Sequence, residues 1–220
     1  MLKSILTVFL CLQGAILSHA QFSVDPSIEG IFGQIKGFSA DFTCVMDGKS
    51  IVIKGKMSMS GTHTRAETSM STGDPKRDAG MLRMGMSHVI AISDIGSPTT
   101  IVEYPDKSSY IVSKTPNPSR EKFAGAKPVI TKIASENIDG HPCDKCNVVT
   151  TAKDGSTYQC TIWLATDLKK FPLKCVVKST TITFSNIDLS MPDAALFQEP
   201  TGLTKYDSMQ EFIMSSMRPH

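Results

Sequence analysis

Apolar and polar residues alternate with a period of two along most of this chain, and that alternation limits the fold more than any other feature of the sequence. Successive side chains of a β-strand point to opposite faces, so alternation is typical of a strand with one buried face. It predicts strands at 38–46, 51–59, 63–68, 81–84, 89–93, 100–104, 109–113, 129–138, 145–152, 156–165, 173–180 and 181–189. Turn signals such as Asp47-Gly48 and Asp154-Gly155 separate neighbouring strands, which indicates an antiparallel sheet, sandwich or barrel.

Helical periodicity is found at the two ends of the β region. Asp25-Pro26 is typical of a helix start and Gly37 of a helix end, so we predict a helix over 25–37 and a second one over 205–217. The apolar residues of the first helix are Ile28, Ile31, Phe32 and Ile35, and those of the second are Met209, Phe212, Ile213 and Met217. Each predicted helix has one apolar face, which must be buried against another apolar surface of the protein. The predicted fold class is therefore mainly β with flanking helices.

The first 20 residues have the layout of a secretory signal peptide. Lys3 gives a basic start, residues 5–12 form a short apolar run, and Ser18-His19-Ala20 is a small-x-small cleavage signal. Cys11 lies inside the apolar run, so a lipid anchor is not expected. We predict that 1–20 is removed and that 21–220 forms a single β domain, exported to the periplasm as a soluble protein.

The charge balance excludes one class of partner. The chain has 23 basic and 21 acidic residues, which leaves a formal net charge of +2. A protein that binds nucleic acid by neutralising phosphates carries a larger positive charge, so we expect no nucleic-acid partner. No apolar run reaches the roughly 18 residues that a membrane-spanning helix needs.

Five cysteines follow the predicted cleavage site, and in an oxidising compartment their default state is the disulfide. One pair follows from a predicted strand register. If 156–165 and 171–180 form a hairpin with Leu164 opposite Phe171, then Cys160 lies opposite Cys175, close to disulfide reach. We therefore predict a disulfide between Cys160 and Cys175.

Cys143 and Cys146 form a C-x-x-C pair, which fits a redox centre or, together with His141, half a zinc site. A thioredoxin-like pair begins at a helix N-terminus, whereas this pair follows a turn and enters a predicted strand. The context favours a structural role over redox chemistry or metal binding. Five cysteines leave at least one without a disulfide partner. The simplest candidates for this cysteine are a buried Cys44 and one member of the C-x-x-C pair.

The sequence has no nucleophile elbow, phosphate-binding loop, zinc-protease helix or dinucleotide fingerprint. Its histidines are scattered. Four carboxylates on or next to predicted strands have no pairing that the sequence can fix: Asp41, Glu67, Asp94 and Glu103. We interpret the chain as a non-enzymatic protein with no cofactor and no metal.

Methionines are frequent on the predicted strands, and they have two interpretations. Thioethers are good Cu(I) ligands in an exported protein, and the candidate ligands are Met57, Met59, Met81, Met84 and Met86. Methionine also fills irregular apolar space and makes adaptable binding surfaces. We favour a lipophilic pocket or core, with copper handling as the alternative.

A series of short motifs resembles the LolA/LolB-like superfamily of periplasmic lipoprotein carriers, and more closely an uncharacterised bacterial branch of it. In order along the chain the motifs are Gly37-Phe38-Ser39-Ala40-Asp41-Phe42, Ile53-Lys54-Gly55-Lys56-Met57, Arg65-Ala66-Glu67, Tyr104-Pro105-Asp106-Lys107, Gly140-His141-Pro142-Cys143, Trp163-Leu164-Ala165-Thr166-Asp167-Leu168, Phe171-Pro172-Leu173-Lys174 and Pro192-Asp193 with Phe197. The resemblance implies an unclosed β-barrel, a strongly curved antiparallel sheet with helices on its concave face. It also implies a hydrophobic cavity for acyl chains and a role for Arg65 in holding the lid shut. The cysteines of the second half are not part of that pattern.

These observations favour a carrier or sensor that binds a lipid, a lipoprotein acyl chain or another apolar ligand in a hydrophobic cavity. The expected partners are a lipid or an acylated protein, with transient contact to membrane proteins. The alternatives are the copper-handling protein and a structural domain without a ligand. The predicted cavity lining is Phe38, Phe42, Ile51, Ile53, Met57, Met59, Val89, Ile101, Trp163, Ile182 and Phe184.

Overall fold

The structure, a computed structural model, describes residues 35–46, 51–94, 97–114, 123 and 125–216. The predicted signal peptide, most of the predicted helix over 25–37 and the Asp47-Gly48 turn lie outside these ranges. Gly37, the predicted end of that helix, is the first residue of a strand.

Twelve strands form one sheet in the part of the chain that the structure describes. They are β1 (Gly37–Met46), β2 (Ile51–Ser60), β3 (His63–Ser71), β4 (His88–Asp94), β5 (Thr99–Tyr104), β6 (Ser109–Lys114), β7 (Val129–Ile138), β8 (His141–Thr151), β9 (Thr157–Ala165), β10 (Phe171–Val177), β11 (Thr180–Asp188) and β12 (Thr204–Tyr206). Their spatial order is β12-β6-β5-β4-β3-β2-β1-β11-β10-β9-β8-β7. Strand β12 runs parallel to β6, and the other neighbours are antiparallel.

The sheet is open, since β7 and β12 lie at its two edges and do not pair with each other. This confirms the predicted mainly β class and the unclosed sheet. All predicted strands except the one at 81–84 are present, with bounds that differ by a few residues. The Asp154-Gly155 turn also lies where it was expected, between β8 and β9, and Gly155 has a φ of 81°.

The predicted strand at 81–84 is wrong, because helix α1 (Pro75–Arg83) occupies that position. The side chain of Asp74 accepts hydrogen bonds from the backbone N–H groups of Lys76 and Arg77, and Pro75 stands in the first turn. Asp74-Pro75 is the same start signal that predicts the helix after Asp25-Pro26. The local cap thus decides the structure of a segment too short for its own periodicity to do so.

The predicted helix over 205–217 is shorter than expected. Strand β12 pairs with β6 first, and helix α2 (Met209–Ser216) follows. Ser208 caps this helix, since its hydroxyl accepts a hydrogen bond from the backbone N–H of Glu211 at 3.2 Å. The Glu211 carboxylate in turn accepts a hydrogen bond at 3.0 Å from the backbone N–H of Asp207, the residue before the cap, whereas in a capping box the donor is the cap residue itself.

The strand registers divide the side chains of the sheet between two faces. Phe42 lies opposite Phe184 on β11, and Cys44 lies opposite Ile53 on β2. Paired residues of neighbouring strands point to the same face. We name the face that carries these four side chains the apolar face, and the other face, which carries Lys54, the polar face.

Three clusters of buried apolar side chains make up the core. The first cluster contains Ile35, Phe38, Ala40, Phe42, Cys44, Ile53, Met57, Met59, Cys143, Trp163, Ala165, Phe171, Leu173 and Phe184. The second contains Met81, Met86, Val102, Tyr104, Ile111, Phe212 and Ile213. The third contains Cys146, Val148, Cys160, Ile162, Leu164 and Cys175. Both α1 and α2 contribute to the second cluster, so the two helices pack on the same face of the sheet.

Gly55 allows β2 and β3 to approach closely. A Cβ atom at this position would stand 1.9 Å from the carbonyl oxygen of Glu67 and 3.1 Å from the ring of Phe42. The first of these contacts is with backbone, which cannot move without breaking the pairing of β2 with β3. The position therefore requires glycine for steric reasons, since its φ is not positive.

We expect Gly55→Ala to lower the free energy of unfolding by about 1–3 kcal/mol, the usual cost of overpacking a well-packed site. The measurement is chemical denaturation followed by circular dichroism. Gly80→Ala is the matched control, because Gly80 lies within α1 and a Cβ there meets nothing within 4 Å. That variant should gain about 0.5–1 kcal/mol from helix propensity. A Gly55→Ala protein as stable as the parent would contradict the close approach of β2 and β3.

Candidate functional site

One row of side chains crosses seven strands of the apolar face without a polar interruption. From β8 to β3 the paired residues are Cys146, Ile162, Cys175, Ile182, Cys44, Ile53 and Met70. Neighbouring strands lie about 4.8 Å apart, so six intervals give the row a length of about 29 Å. Its members include buried cysteines and isoleucines, and no hydroxyl, amide or charged side chain interrupts it.

Two half-buried members of the row connect the three clusters. Ile182 packs against both the first and the third cluster, and Met70 packs against both the first and the second. The apolar surface is therefore continuous from the β8–β10 end of the sheet to the strands under α1 and α2. We name this continuous surface the candidate site.

Aromatic rings fill the middle of the candidate site. The rings of Phe38 and Phe171 meet edge to face, with their centroids 5.0 Å apart, and Phe171 and Phe184 do the same at 5.5 Å. The ring centroids of Phe42 and Phe184 lie 6.4 Å apart. Edge-to-face pairs add to the stability that burial alone provides, so these rings help to stabilise the middle of the surface.

The helices cover a different part of the surface. Phe212 of α2 stacks on Tyr104 of β5 with a centroid distance of 4.3 Å, and Met81 of α1 packs in the same cluster. The Tyr104 hydroxyl donates to the thioether of Met209 at 3.8 Å. Burial raises the pKa of Tyr104 well above its ordinary value, so this tyrosine remains a neutral packing residue.

Small side chains separate the first cluster from the second. Met57, Ala66, Ala91 and Val102 are consecutive partners on β2, β3, β4 and β5. The two alanines stand between two larger residues, so the floor of the apolar face is lowest on β3 and β4. The half-buried side chain of Met70 lies on the same face of β3, four positions further along the strand, with Thr68 between it and Ala66.

Nine of the eleven predicted lining residues belong to the apolar face: Phe38, Phe42, Ile51, Ile53, Met57, Met59, Val89, Ile182 and Phe184. The structure thus brings these side chains together on one surface. Their role in lining a cavity stays a prediction.

Ile101 and Trp163 do not share that face. Ile101 lies opposite Ile92, whose partner on β3 is Arg65, a residue of the polar face. Trp163 is one residue out of phase with Ile162 of the row, although it packs against the first cluster beside the bulge in β10. Both residues stand next to another apolar residue, and in such a run alternation does not reveal which side chain points inward.

Trp163 has polar surroundings. Its indole N–H donates to the Glu136 carboxylate at 2.6 Å, and the ammonium groups of Lys174 and Lys145 lie 4.7 Å and 5.0 Å from the ring centroid. Lys145 also pairs with Glu136 at 2.8 Å. The indole is held by cation–π contacts and a charged hydrogen bond.

The predicted opposition of Cys160 and Cys175 is wrong. Phe171 pairs with Ala165 because the loop after β9 is one residue longer than expected, and a bulge between Pro172 and Lys174 adds a second residue of shift. Pro172 has no N–H to donate to the ladder, which suits a bulge. Cys175 therefore lies opposite Ile162, and the predicted disulfide is not formed.

The C-x-x-C cysteines lie on opposite sides of their strand. Cys143 pairs with Ala165 and Cys146 with Ile162 in an unbroken register, and residues three apart on a strand point to opposite faces. They accordingly belong to the first and third clusters. Burial raises the pKa of both thiols, as it does for Cys44, which disfavours the reactive thiolate. These contacts support a structural role over a joint redox or metal site.

The methionines of the copper hypothesis are divided between two clusters. Met57 and Met59 lie in the first cluster, whereas Met81 and Met86 lie in the second, against which Met84 also packs. The structure therefore does not assemble the five predicted ligands. Among the described residues, no group of three or more histidine, cysteine or acidic side chains could hold a metal ion.

Two of the four candidate carboxylates lie close together on the polar face. Ile90 has Glu67 as its partner on one side and Glu103 on the other. Glu67 accepts from Arg65 at 2.9 Å and contacts His88 at 3.2 Å. Burial pushes the pKa of Glu67 upward, but the hydrogen bonds and charges of Arg65 and His88 outweigh it and hold the pKa below its ordinary value. Glu103 has a raised pKa, chiefly because it is partly buried.

Arg65 therefore points away from α1 and α2, which pack on the apolar face. Its guanidinium fixes the carboxylate of Glu67 on the polar face. The lid-holding role that the resemblance implies for Arg65 stays a prediction, since most of the expected N-terminal helix lies outside the described residues.

We expect Arg65→Gln to lower the free energy of unfolding by less than about 1 kcal/mol at pH 7, because the ion pair is partly exposed. Its partner Glu67 has a lowered pKa, so the contribution is present above the ordinary value of 4.5 and is lost as the pH falls below it. The measurement is denaturant unfolding of parent and variant between pH 7 and pH 3.

Arg77→Gln is the control, since Arg77 and Asp74 form an exposed pair at 3.5 Å and should contribute almost nothing. A stability difference between Arg65→Gln and the parent that persists unchanged at pH 3 would contradict the pairing with Glu67.

Within the described ranges, no helix is long and apolar enough to cross a membrane. No protein-family model matches the chain, and no curated protein matches it significantly.

Several solved structures are similar to the chain at low sequence identity. They include PNGF-II (12% identity, TM-score 0.40), MucB in complex with MucA(peri) (13%, 0.39) and a LolA superfamily protein from Nitrosomonas europaea (12%, 0.33). The matches cover 82%, 81% and 82% of this chain, and 33%, 59% and 97% of the other chains, respectively. The chain thus spans only part of the length of PNGF-II and MucB.

A LolA superfamily protein is thus among the structural neighbours of the chain. With TM-scores below 0.5, the likenesses by themselves establish neither a shared fold nor a shared function.

Proposed function

We propose that this protein is a non-enzymatic, exported carrier or sensor that binds an acyl chain or another apolar ligand on the apolar face of its sheet. The observation that supports this most is the row of seven apolar and thiol side chains from Cys146 to Met70. One leaflet of a bilayer core is about 15 Å thick, so an extended acyl chain fits within the row's length of about 29 Å.

The half-buried residues of the site are the points where such a ligand would make contact. Ile182 and Met70 are partly buried at the junctions between clusters, and Met46 and Ile51 are partly buried against the first cluster. Methionine is flexible and polarisable, so it adapts to a chain of variable shape. Lipophilic sites are lined mainly by apolar and aromatic side chains, as this surface is.

The expected setting is the periplasm, with 1–20 as the signal peptide and 21–220 as one domain. The partners we propose are a lipid or an acylated protein, with transient contact to membrane proteins during loading and release. Binding would need no catalytic group, and the buried thiols of the row supply packing surface.

The test is the titration of purified 21–220 with a fluorescent long-chain fatty acid. We expect saturable binding by the parent protein and a Kd about tenfold higher for Met70→Lys, which places a charge at the junction of the first and second clusters. A lysine at a half-buried site can extend its ammonium to water, so the variant should fold.

Ser69→Lys is the matched control, because the neighbouring residue is exposed and belongs to the polar face. It should bind the fatty acid as the parent does. The absence of saturable binding by the folded parent would instead favour a structural domain without a ligand.

A further inference from the structure

A buried threonine hydroxyl in the candidate site has no hydrogen-bond partner. Thr150 of β8 is 1% exposed, and its Oγ1 atom makes no hydrogen bond. Buried hydroxyls are nearly always paired, since burial without a partner costs free energy. An unpaired hydroxyl at such a position therefore calls for an explanation.

Register places Thr150 on the apolar face, in line with the third cluster. It pairs with Tyr158, the next pair along the strand on that face is Val148 with Cys160, and the one after it is Cys146 with Ile162. Thr150 is four positions along the strand from Cys146, the first member of the row, which corresponds to about 13 Å. The hydroxyl thus lies on the same face as the row but about 13 Å from its end, on the second strand from the sheet edge.

Packing does not explain why this position carries a hydroxyl. Valine has the same shape as threonine and is equally suited to a strand, and Val148 occupies the equivalent inward position two residues earlier with 0% exposure. The hydroxyl can donate one hydrogen bond and accept two. The position of the Thr150 hydroxyl suits a hydrogen-bond partner that belongs to a bound ligand and is absent from the free protein.

We infer that Thr150 recognises the carbonyl oxygen through which an acyl chain is attached, and that the ligand is therefore an ester or an amide. This inference rests on the proposed function. A ligand that suits the row is apolar along its chain, and its carbonyl is the first polar atom beyond that chain. With the carbonyl at Thr150, the chain is directed along the apolar face towards the half-buried Ile182, and the remainder of the ligand is directed to the sheet edge.

The experiment compares two lysophosphatidylcholines with the same 16-carbon chain, one joined through an ester and the other through an ether, which lacks only the carbonyl oxygen. Each displaces the fluorescent fatty acid from 21–220 below its micelle-forming concentration. We expect the parent to bind the ester about tenfold more tightly than the ether, as one buried hydrogen bond provides. Thr150→Val should remove this preference, and Thr150→Ser should keep it.

Thr151→Val is the matched control, since Thr151 is exposed on the other side of the strand and should not alter the preference. Equal binding of ester and ether by the parent, or an ester preference that survives in Thr150→Val, would overturn the inference while leaving the proposed function standing. If neither lysolipid nor the fatty acid binds, the proposed function fails.

The ligand-free variant gives a second readout. Removing an unpaired buried hydroxyl should raise the melting temperature of Thr150→Val by about 2–4 °C. A melting temperature below that of the parent would show that the hydroxyl already has a partner in the free protein, which also contradicts the inference.

Discussion

The register that residues 41–46 of β1 keep with both β2 and β11 is the constraint on which the rest of the structure depends. Because paired residues share a face, the pairing of Cys44 with both Ile53 and Ile182 commits every second residue of three strands to one surface. A slip of one residue would expose that surface and bury Lys54 and Thr183 instead. Register therefore creates the apolar face, and the need to bury that face determines where the helices pack.

The sequence predicts β1 to β11, but it misses β12, places a strand where α1 lies, and does not predict the details that tertiary structure decides. Alternation located the strands because one face of each is apolar, and it placed Phe42 and Met57 on a common surface. It could not place Trp163, which lies in the continuous apolar run of β9. The register of Cys175 depends on a bulge next to Pro172, and the unpaired hydroxyl of Thr150 is evident only once the strands are packed. No local pattern carries such information.

The buried cysteines act as packing residues, although two of them form a motif that is typical of redox sites. A C-x-x-C pair is typical of redox sites. The side chains of Cys143 and Cys146, however, point to opposite faces of one strand, and the pKa of both thiols is raised. On the apolar face, Cys146, Cys175 and Cys44 alternate with isoleucines and act as small apolar residues. The thiols thus extend the surface that we assign to ligand binding.

Native mass spectrometry of the chain, purified from the periplasm of an expressing cell, tests the central claim most directly. If the apolar face binds a ligand, the intact protein has a mass above that of the bare chain. Gentle collisional activation then releases a lipid or acylated molecule whose mass equals the difference between the two. The account would be contradicted if the spectrum contained only the mass of the bare chain, also after lipids are added. The side chains of the protein would then bury the apolar face without a ligand.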